Sequence, residues 1–488
     1  MKTTQTVAAL CGRRISVIVQ ILRQSSSRRG VTATIAAAVL LSTLNPQLST
    51  FAQGSLTPPG APAPTMKSLD QIEARTPISS LPFTISASGS YYLTKNLAVT
   101  SGNAIVISAE DVTLDLNGFT LSSTEASPSG TGILLNGTKR NIAIHNGFIR
   151  GNVTVSGGIY SGSGFAYGIA YLTEPTPANV RVSGVSVSGC LYNGIDIGRG
   201  EVGTGDSTTV ESCTVRTVGG SAIVGSSVTH CTAYETGSGG IFATTASDCF
   251  ASSAGNGLYA GTASNCSASS SNGNGLFADN AINCTGVTTS SSLGDEGLSA
   301  NNAINCVGQS SLDNGIGTYS AANCFGYSTS GTGLDCRTAT GSFGYSTSGA
   351  GLYVLYVANN CSGQSDSNVG INASGATVNN CYGLSNNGIG IFADAVNSSW
   401  GKSGSSQGIN AKTVNNSYGY SESNRGISCS IVSGSYGESN GGSFGINASR
   451  IAIGSYGYSA TGTGLAATIV NSCSGSSVGY TYHYNMPP

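Results

Sequence analysis

NNCYGLSNNGIGIFADAVNSSWGKSGSSQGINAKTVNNSYGYSESNRGI, residues 379–427, repeats one motif. Cys381, Ser399 and Ser417 recur at a constant step of 18 in the numbering, each after Asn or Ser. Nine positions after each comes a Gly followed by Ile: Gly390-Ile391, Gly408-Ile409 and Gly426-Ile427. Ala393 and Ala411 follow two positions later. Alternation along an extended chain puts the Cys/Ser, the Gly two later and the Ser four later on one face. Leu/Ile and Ala fall on a second such face. Two short strands and two turns use about 18 residues, one coil, and parallel coils stacked ~4.8 Å apart set identical positions in columns. The pattern predicts an all-β, single-stranded parallel β-helix (a solenoid) with a small column facing a larger one across a thin core.

The register extends in both directions. Cys213, Cys231, Cys249, Cys266, Cys284, Cys306 and Cys324 precede this stretch, with Ser342 and Cys361, and Ser435, Ser455 and Cys473 follow it. Residues 211–478 therefore read as a regular short-coil ladder. Residues 82–210 read as strands in longer, irregular coils, with loops expected at 156–170 and 198–208. Leu116–Phe119 and His145–Phe148 carry one text, Leu/His-Asn-Gly-Phe, at an offset of 29 in the numbering. Asn precedes the rung at Asn265, Asn283, Asn305, Asn323, Asn360, Asn380 and Asn416, where a turn needs left-handed backbone that Asn tolerates.

The flanks differ in kind. Residues 66–75 (MKSLDQIEAR) predict a short helix, with Ser68 and Gln71 at capping-box spacing. The stretch 66–81 is expected to cap the solenoid's open end, and 479–488 to close the other. Residues 53–65 read as a Pro-rich linker. Residues 1–52 read as a signal peptide: Lys2, Arg13, Arg14, Arg23, Arg28 and Arg29 precede an apolar run, and cleavage follows Ala52. Ser27-Arg28-Arg29 also fits a twin-arginine signal. The expected location is extracytoplasmic, secreted or periplasmic.

Composition narrows the partners. Charged residues make up only 9% of the chain, and 70 of its 488 residues are Gly. Losing six of the 20 basic residues against 22 acids leaves the mature chain near −8, without a basic stripe. Nucleic acid and anionic membrane surfaces are not expected partners, and no membrane insertion is expected after signal removal.

On DVTLDLNGFTL (111–121), NIAIHNGFIRG (141–151) and units such as NGLFADNAINC (274–284), the chain resembles the right-handed parallel β-helix proteins of the pectate-lyase-like group. The resemblance covers about residues 82–478. It implies a right-handed coil and action on, or binding to, acidic polysaccharides. It carries over no catalytic residue, because neither paired polygalacturonase acids nor a lyase-like Asp cluster with a following Arg is present. The coil of 211–478 is also shorter than is usual for that group.

Fourteen Cys in an exported chain suggest disulfides. Yet Ser replaces Cys at five rungs without disturbing the register. A position that accepts either residue needs a small side chain, so the column reads as unbridged packing. His145, His230 and His483 are scattered, and without a CxxC they suggest no metal site. One residue after the rung stand Phe325, Phe343, Tyr382, Trp400, Tyr418, Tyr436 and Tyr456. Two further along, Lys402 and Glu438 share a column with Tyr327, Tyr345, Tyr420 and Tyr458, so this face meets solvent. The rings stabilise neighbouring coils by about 0.5–1.5 kcal/mol a pair, or they form a flat track for sugar rings. On the second reading Tyr382, Trp400, Tyr418, Tyr436 and Tyr456 are the binding residues.

Catalysis calls for paired carboxylates and a cation. Asp196, Arg199, Glu201 and Asp206 are the candidates, set against the reading of a solvated loop. Asp295, Glu296 and Asp313 are the candidates for Ca²⁺, set against plain surface charge; no other cofactor is expected. The expectation is a non-catalytic extracellular rod engaging polysaccharide or a cell-surface glycan. The alternative is a lyase or hydrolase of uronate-rich polymers with its site on the coils of 82–210.

Overall fold

The computed structural model describes residues 73–137, 139–173, 176–198 and 207–484, all within a unit that runs from Ser68 to the C-terminus. Among the described residues there is no helix. The chain forms an all-β parallel solenoid of about 22 turns, with coils of ~18 residues in its C-terminal half. One antiparallel hairpin, Thr154–Ser156 with Ile159–Ser161, stands outside the parallel ladder. The signal peptide, the linker and most of the expected capping helix lie outside the described residues. Glu73, Ala74 and Arg75, the last three residues of that helix, are not helical. Arg75 instead donates to Asp115 at 2.8 Å and lies 4.6 Å from the centre of the Tyr92 ring. The ladder begins at once, with Thr76–Ile78 pairing in parallel with Tyr91–Leu93.

The coil at 399–416 shows how the repeat folds. Trp400–Ser403, Ile409–Ala411 and Thr413–Asn415 each pair with the equivalent segment one coil earlier. Lys412 is left unpaired between the last two. Ile409, Ala411 and Val414 all point inward, so the two-residue alternation slips there and the chain turns a corner. The sequence reading gave two strands per coil. The second is in fact two short ladders joined at that corner, because three inward side chains at this spacing break a single strand's period.

One aliphatic column runs the length of the ladder, from Ile105 through Ile133, Ile169, Ile195, Ile223 and Ile241 to Ile409 and Leu465, all fully buried. Full burial of each such side chain contributes about 1.5–3 kcal/mol. Successive members from Ile105 to Ile241 are offset in the numbering by 28, 36, 26, 28 and then 18. The surplus residues of the N-terminal coils leave the stack as excursions while the column stays intact. The expected loop at 156–170 is one place where the structure departs from the reading. It holds part of the hairpin and then a ladder strand, Phe165–Tyr171, with Phe165 and Ile169 fully buried. Its Gly- and Ser-rich text hid two inward positions. Asn117 and Asn146 do occupy equivalent left-handed positions, with φ of 53° and 61°. The ladder offset, however, is 30 before this turn (Asp115 to His145) and 28 after it (Thr120 to Phe148).

The core of the short coils is thin enough to require glycine. A Cβ on Gly408 would stand 2.5 Å and 2.6 Å from the backbone N and O of Tyr420 in the next coil. The Asn residues before the rungs have φ of 47–54°. Their carboxamides chain from coil to coil, Asn283 to Asn265 and Asn305 to Asn283, both at 3.1 Å. Further along, the amide chain shifts one residue, to Asn379, Asn397 and Asn415, each donating at 2.9 Å to the coil before.

Every cysteine among the described residues is buried and unbridged. The rung does more than fill space. Ser399 Oγ donates to Asn397 O at 2.7 Å and accepts the Cys381 N–H at 3.0 Å. Cys381 Sγ does the same with Asn379 O at 3.1 Å and the Cys361 N–H at 3.3 Å. Ser and Cys interchange because each is both donor and acceptor at this reach. Four residues on, a second buried Ser fastens the turn. Ser403 Oγ donates to Gly388 O at 2.6 Å and accepts the Ser406 N–H at 2.8 Å.

Candidate functional site

The short strands carry the aromatic column outward. Tyr382, Trp400, Tyr418, Tyr436 and Tyr456 are ladder partners in five successive coils. Tyr436 and Tyr456 stack with centroids 5.1 Å apart and planes 1° apart, and Tyr418 and Tyr436 at 5.1 Å and 23°. Rings stacked along the ladder spend their faces on each other and present edges to solvent. Trp400 breaks this order. It meets Tyr382 edge-on at 73° and lies 59° from Tyr418. It is 45% exposed. Beside the column lies an open groove of ≈ 710 Å³, lined by these five rings and by the turn residues Asn380, Ser398, Asn416, Gly434 and Gly454. Tyr418 donates its hydroxyl to Glu438 at 2.6 Å, which fixes that ring's outer end. Phe325 and Phe343 form a separate stacked pair at 5.4 Å. Ser362 occupies the column between that pair and Tyr382.

Of the four catalytic candidates, Arg199, Glu201 and Asp206 lie outside the described residues. Asp196 ends a two-residue ladder strand, paired with Ala170 and Val224. Burial pushes its carboxyl up to about 6, although Asn193 donates to it at 2.6 Å. Tyr167 and Tyr192 pack at 5.2 Å. The Tyr167 hydroxyl is itself held above its usual range by burial and by the charges of Tyr192 and Asp196. A carboxylic acid that titrates near 6 is suited to donate a proton at neutral pH.

The Ca²⁺ candidates part company. Asp295 accepts from Ser290, Asp313 accepts the Gly294 N–H, and Glu296 turns to the side of the coil. Among the described residues no group of three or more His, Cys, Asp or Glu is arranged to hold a metal ion. Glu296 instead reaches over Gly317, where its carboxylate fills the place a Cβ would take. Asn314 donates to it at 3.0 Å. Burial, with the charges of Asp313 and Asp335, raises its pKa.

Here the outward column runs Phe242, Tyr259, Phe277, Ser299, Gly317, Asp335, Tyr353. Phe242, Tyr259 and Phe277 form a stack, the last two 5.0 Å apart and 2° from parallel. Ser299 and Gly317 are too small to continue it. The gap is a notch of ≈ 420 Å³ whose walls include Phe277, Asp279, Glu296, Tyr319, Asp335 and Arg337. Asp196 belongs to the same column, two rungs before Phe242. The sequence reading passed over Phe277, Asp335 and Arg337. The signal was available: the step from Cys284 to Cys306 is the longest between rungs in the ladder, and the surplus lies in the turn carrying Glu296.

Comparison with known proteins adds little. No family model matches the chain, and no curated protein does. Among solved structures it is similar to the crystal structure of a hyperthermoactive exopolygalacturonase from Thermotoga maritima, at 10% identity over 79% of this chain and 81% of that one, with a TM-score of 0.20. At that score the likeness carries no argument about fold or activity. The fold therefore rests on the ladder described above.

Proposed function

We propose that this chain is an exported, non-catalytic β-solenoid that binds polysaccharide along its side. The observation that carries the reading is the groove beside the aromatic column, which spans five coils and contains Trp400 turned out of the stack. A long, open, ring-lined groove suits a polymer better than a small molecule, which prefers an enclosed cleft. Aromatic faces pack on the C–H faces of sugars, and Trp400, tilted from both neighbours and 45% exposed, is the ring least committed to the stack. The signal-like residues 1–52 support a location for this surface outside the cytoplasm. The test is Trp400 emission, the sole Trp in the chain, during titration with a panel of neutral, acidic and amino polysaccharides. A saturable shift that is lost in Tyr418→Ala/Tyr436→Ala supports the reading. If no polysaccharide shifts the emission and retention on immobilised glycans equals that of an unrelated protein, the reading fails.

One observation favours a second reading, in which the chain degrades polysaccharide at the N-terminal coils. Burial raises the Asp196 carboxyl to about 6, a range suited to a general acid, and the residue precedes the candidates Arg199, Glu201 and Asp206 in the sequence. New reducing ends or unsaturated product from uronate-rich polymers, abolished by Asp196→Asn, would establish it. Absence of both leaves binding as the activity.

A further inference from the structure

We propose that the notch between Phe277 and Asp335 binds neighbouring amino-sugar units of a polysaccharide chain, with Phe277 taking the face of one ring and Glu296 and Asp335 taking the ammonium group of a unit further along. The inference rests on the reading of the solenoid as a saccharide binder and names the sugar class that one site selects.

Three departures from the repeat meet at this place. The lengthened coil between Cys284 and Cys306 extends the turn that carries Glu296. The column then loses its rings for two coils, at Ser299 and Gly317. The next coil supplies Asp335 in the same column and Arg337 at the corner beside it. Any one of these would be drift in a repeat; together they make a cavity with an apolar end and an acidic end.

The apolar end is the outer face of Phe277. Tyr259 covers one face of that ring, and Ser299, its partner in the following coil, is too short to cover the other. The acidic end begins two rungs away, where the Glu296 carboxylate lies over Gly317, and reaches Asp335 at three, about 10–14 Å at the usual strand spacing, so the ring on Phe277 and the bound ammonium belong to different units of the chain. Among the described residues neither Glu296 nor Asp335 has a cationic partner within 4.0 Å. Arg337 does not fill that role. Its guanidinium lies over the Tyr319 ring, 4.0 Å from the centroid. Asp279, Glu296 and Asp335 thus outnumber the one cation lining the notch, and Asp313 adds its charge to theirs. Partly buried carboxylates that lack a counter-charge gain from a cation the ligand brings. The same charge repels uronate. A ligand with a ring face at one end and an ammonium at the other matches both walls, since ring faces attract C–H and cationic groups alike.

The test uses the full chain and isothermal titration with a hexamer of β-1,4-linked glucosamine, its N-acetylated counterpart and a galacturonate hexamer. The glucosamine hexamer is expected to bind, and acetylation, which replaces the ammonium by a neutral and bulkier amide, to weaken binding at least tenfold; the carboxylate variants below separate lost charge from added bulk. Glu296→Gln and Asp335→Asn should each weaken it about tenfold, and Phe277→Ala should weaken both amino-sugar hexamers. Glu110→Gln, an exposed carboxylate in an N-terminal coil, should change nothing. Thermal melts of each variant show that the fold persists. Equal binding of the two hexamers, or indifference to both carboxylate variants, overturns the proposal. So does a Lys-rich peptide, or Ca²⁺ alone, that binds through Glu296 more tightly than the glucosamine hexamer. If the glucosamine hexamer fails while another polysaccharide shifts Trp400 emission, the notch assignment falls and the binding function stands. If no polysaccharide binds anywhere, both fall.

Discussion

Ser421 tests what holds the coils together. It is fully buried. Its Oγ donates to Ser406 O at 2.5 Å in the coil before and accepts the Asn424 N–H at 2.8 Å in its own turn. Ser421→Ala removes both bonds. A buried donor or acceptor left without a partner costs about 1–3 kcal/mol. Two such groups, with some relief as the turn loosens, put the loss at about 2–4 kcal/mol. Ser417, the rung four residues earlier, makes an equally buried pair of bonds, to Asn415 O at 2.7 Å and from the Ser399 N–H at 3.1 Å. Ser417→Cys keeps a donor and an acceptor, as Cys381 does at the same rung, and should cost under about 1 kcal/mol. Ser405→Ala removes an exposed bond to Asn387 O at 2.7 Å and should cost about 0.5 kcal/mol or less. Because solenoid coils contact only their neighbours, opening is local. The assay is therefore amide hydrogen exchange over 404–427 alongside urea unfolding. If Ser421→Ala loses no more protection than Ser405→Ala, the buried serines fill space and do not fasten turns.

Three further outcomes follow from the same structure. Gly408→Ala places a Cβ against the Tyr420 backbone, so urea unfolding should show a loss of about 3 kcal/mol; a neutral result would mean the facing strands are further apart than described. The described cysteines are all buried, and burial pushes the thiols of Cys190 and Cys429 up to about 12, so a thiol reagent at pH 8 should label these positions slowly in the native chain and all of them once denatured, whereas a shortfall in denaturant would reveal bridges. Asp196 holds its proton more tightly folded, near 6, than unfolded, near 3.8. Stability from this group is therefore full below about pH 4 and is lost as pH rises to 6, by up to about 3 kcal/mol. Asp196→Asn should flatten that slope and be the more stable protein at pH 7, and unfolding curves that keep the slope in the variant would assign it to another group.

Much of the fold was legible because a stacked coil repeats its chemistry at fixed spacing. Cys381, Ser399 and Ser417 mark one column, and the Asn residues before such rungs mark the left-handed turns. Legibility ended where a signal depends on a neighbouring coil. Phe165 and Ile169 are inward, but their Gly- and Ser-rich surroundings read as loop. The corner at Lys412 leaves no residue signature, only a slip in burial between Ala411 and Val414. The aromatic column was visible as a list of residues, but whether rings offer faces or edges depends on side-chain torsions that spacing does not encode. The notch was missed for a related reason. Asp335 draws attention only once Gly317, one coil earlier, is known to admit the Glu296 carboxylate beside it.

The rung bonds have an evolutionary corollary. From Cys381 to Ser455 each rung accepts one N–H from its predecessor and offers one to its successor, and Ser399 and Ser417 do so through the same atoms. Excising 399–416 would bring the Cys381 N–H to Ser417 Oγ and join Ser398 to Ser417 without a mismatched end. In-frame duplication or loss of the DNA for one coil is thus a conservative event for this gene, and the reach of the molecule can be adjusted in steps of one coil.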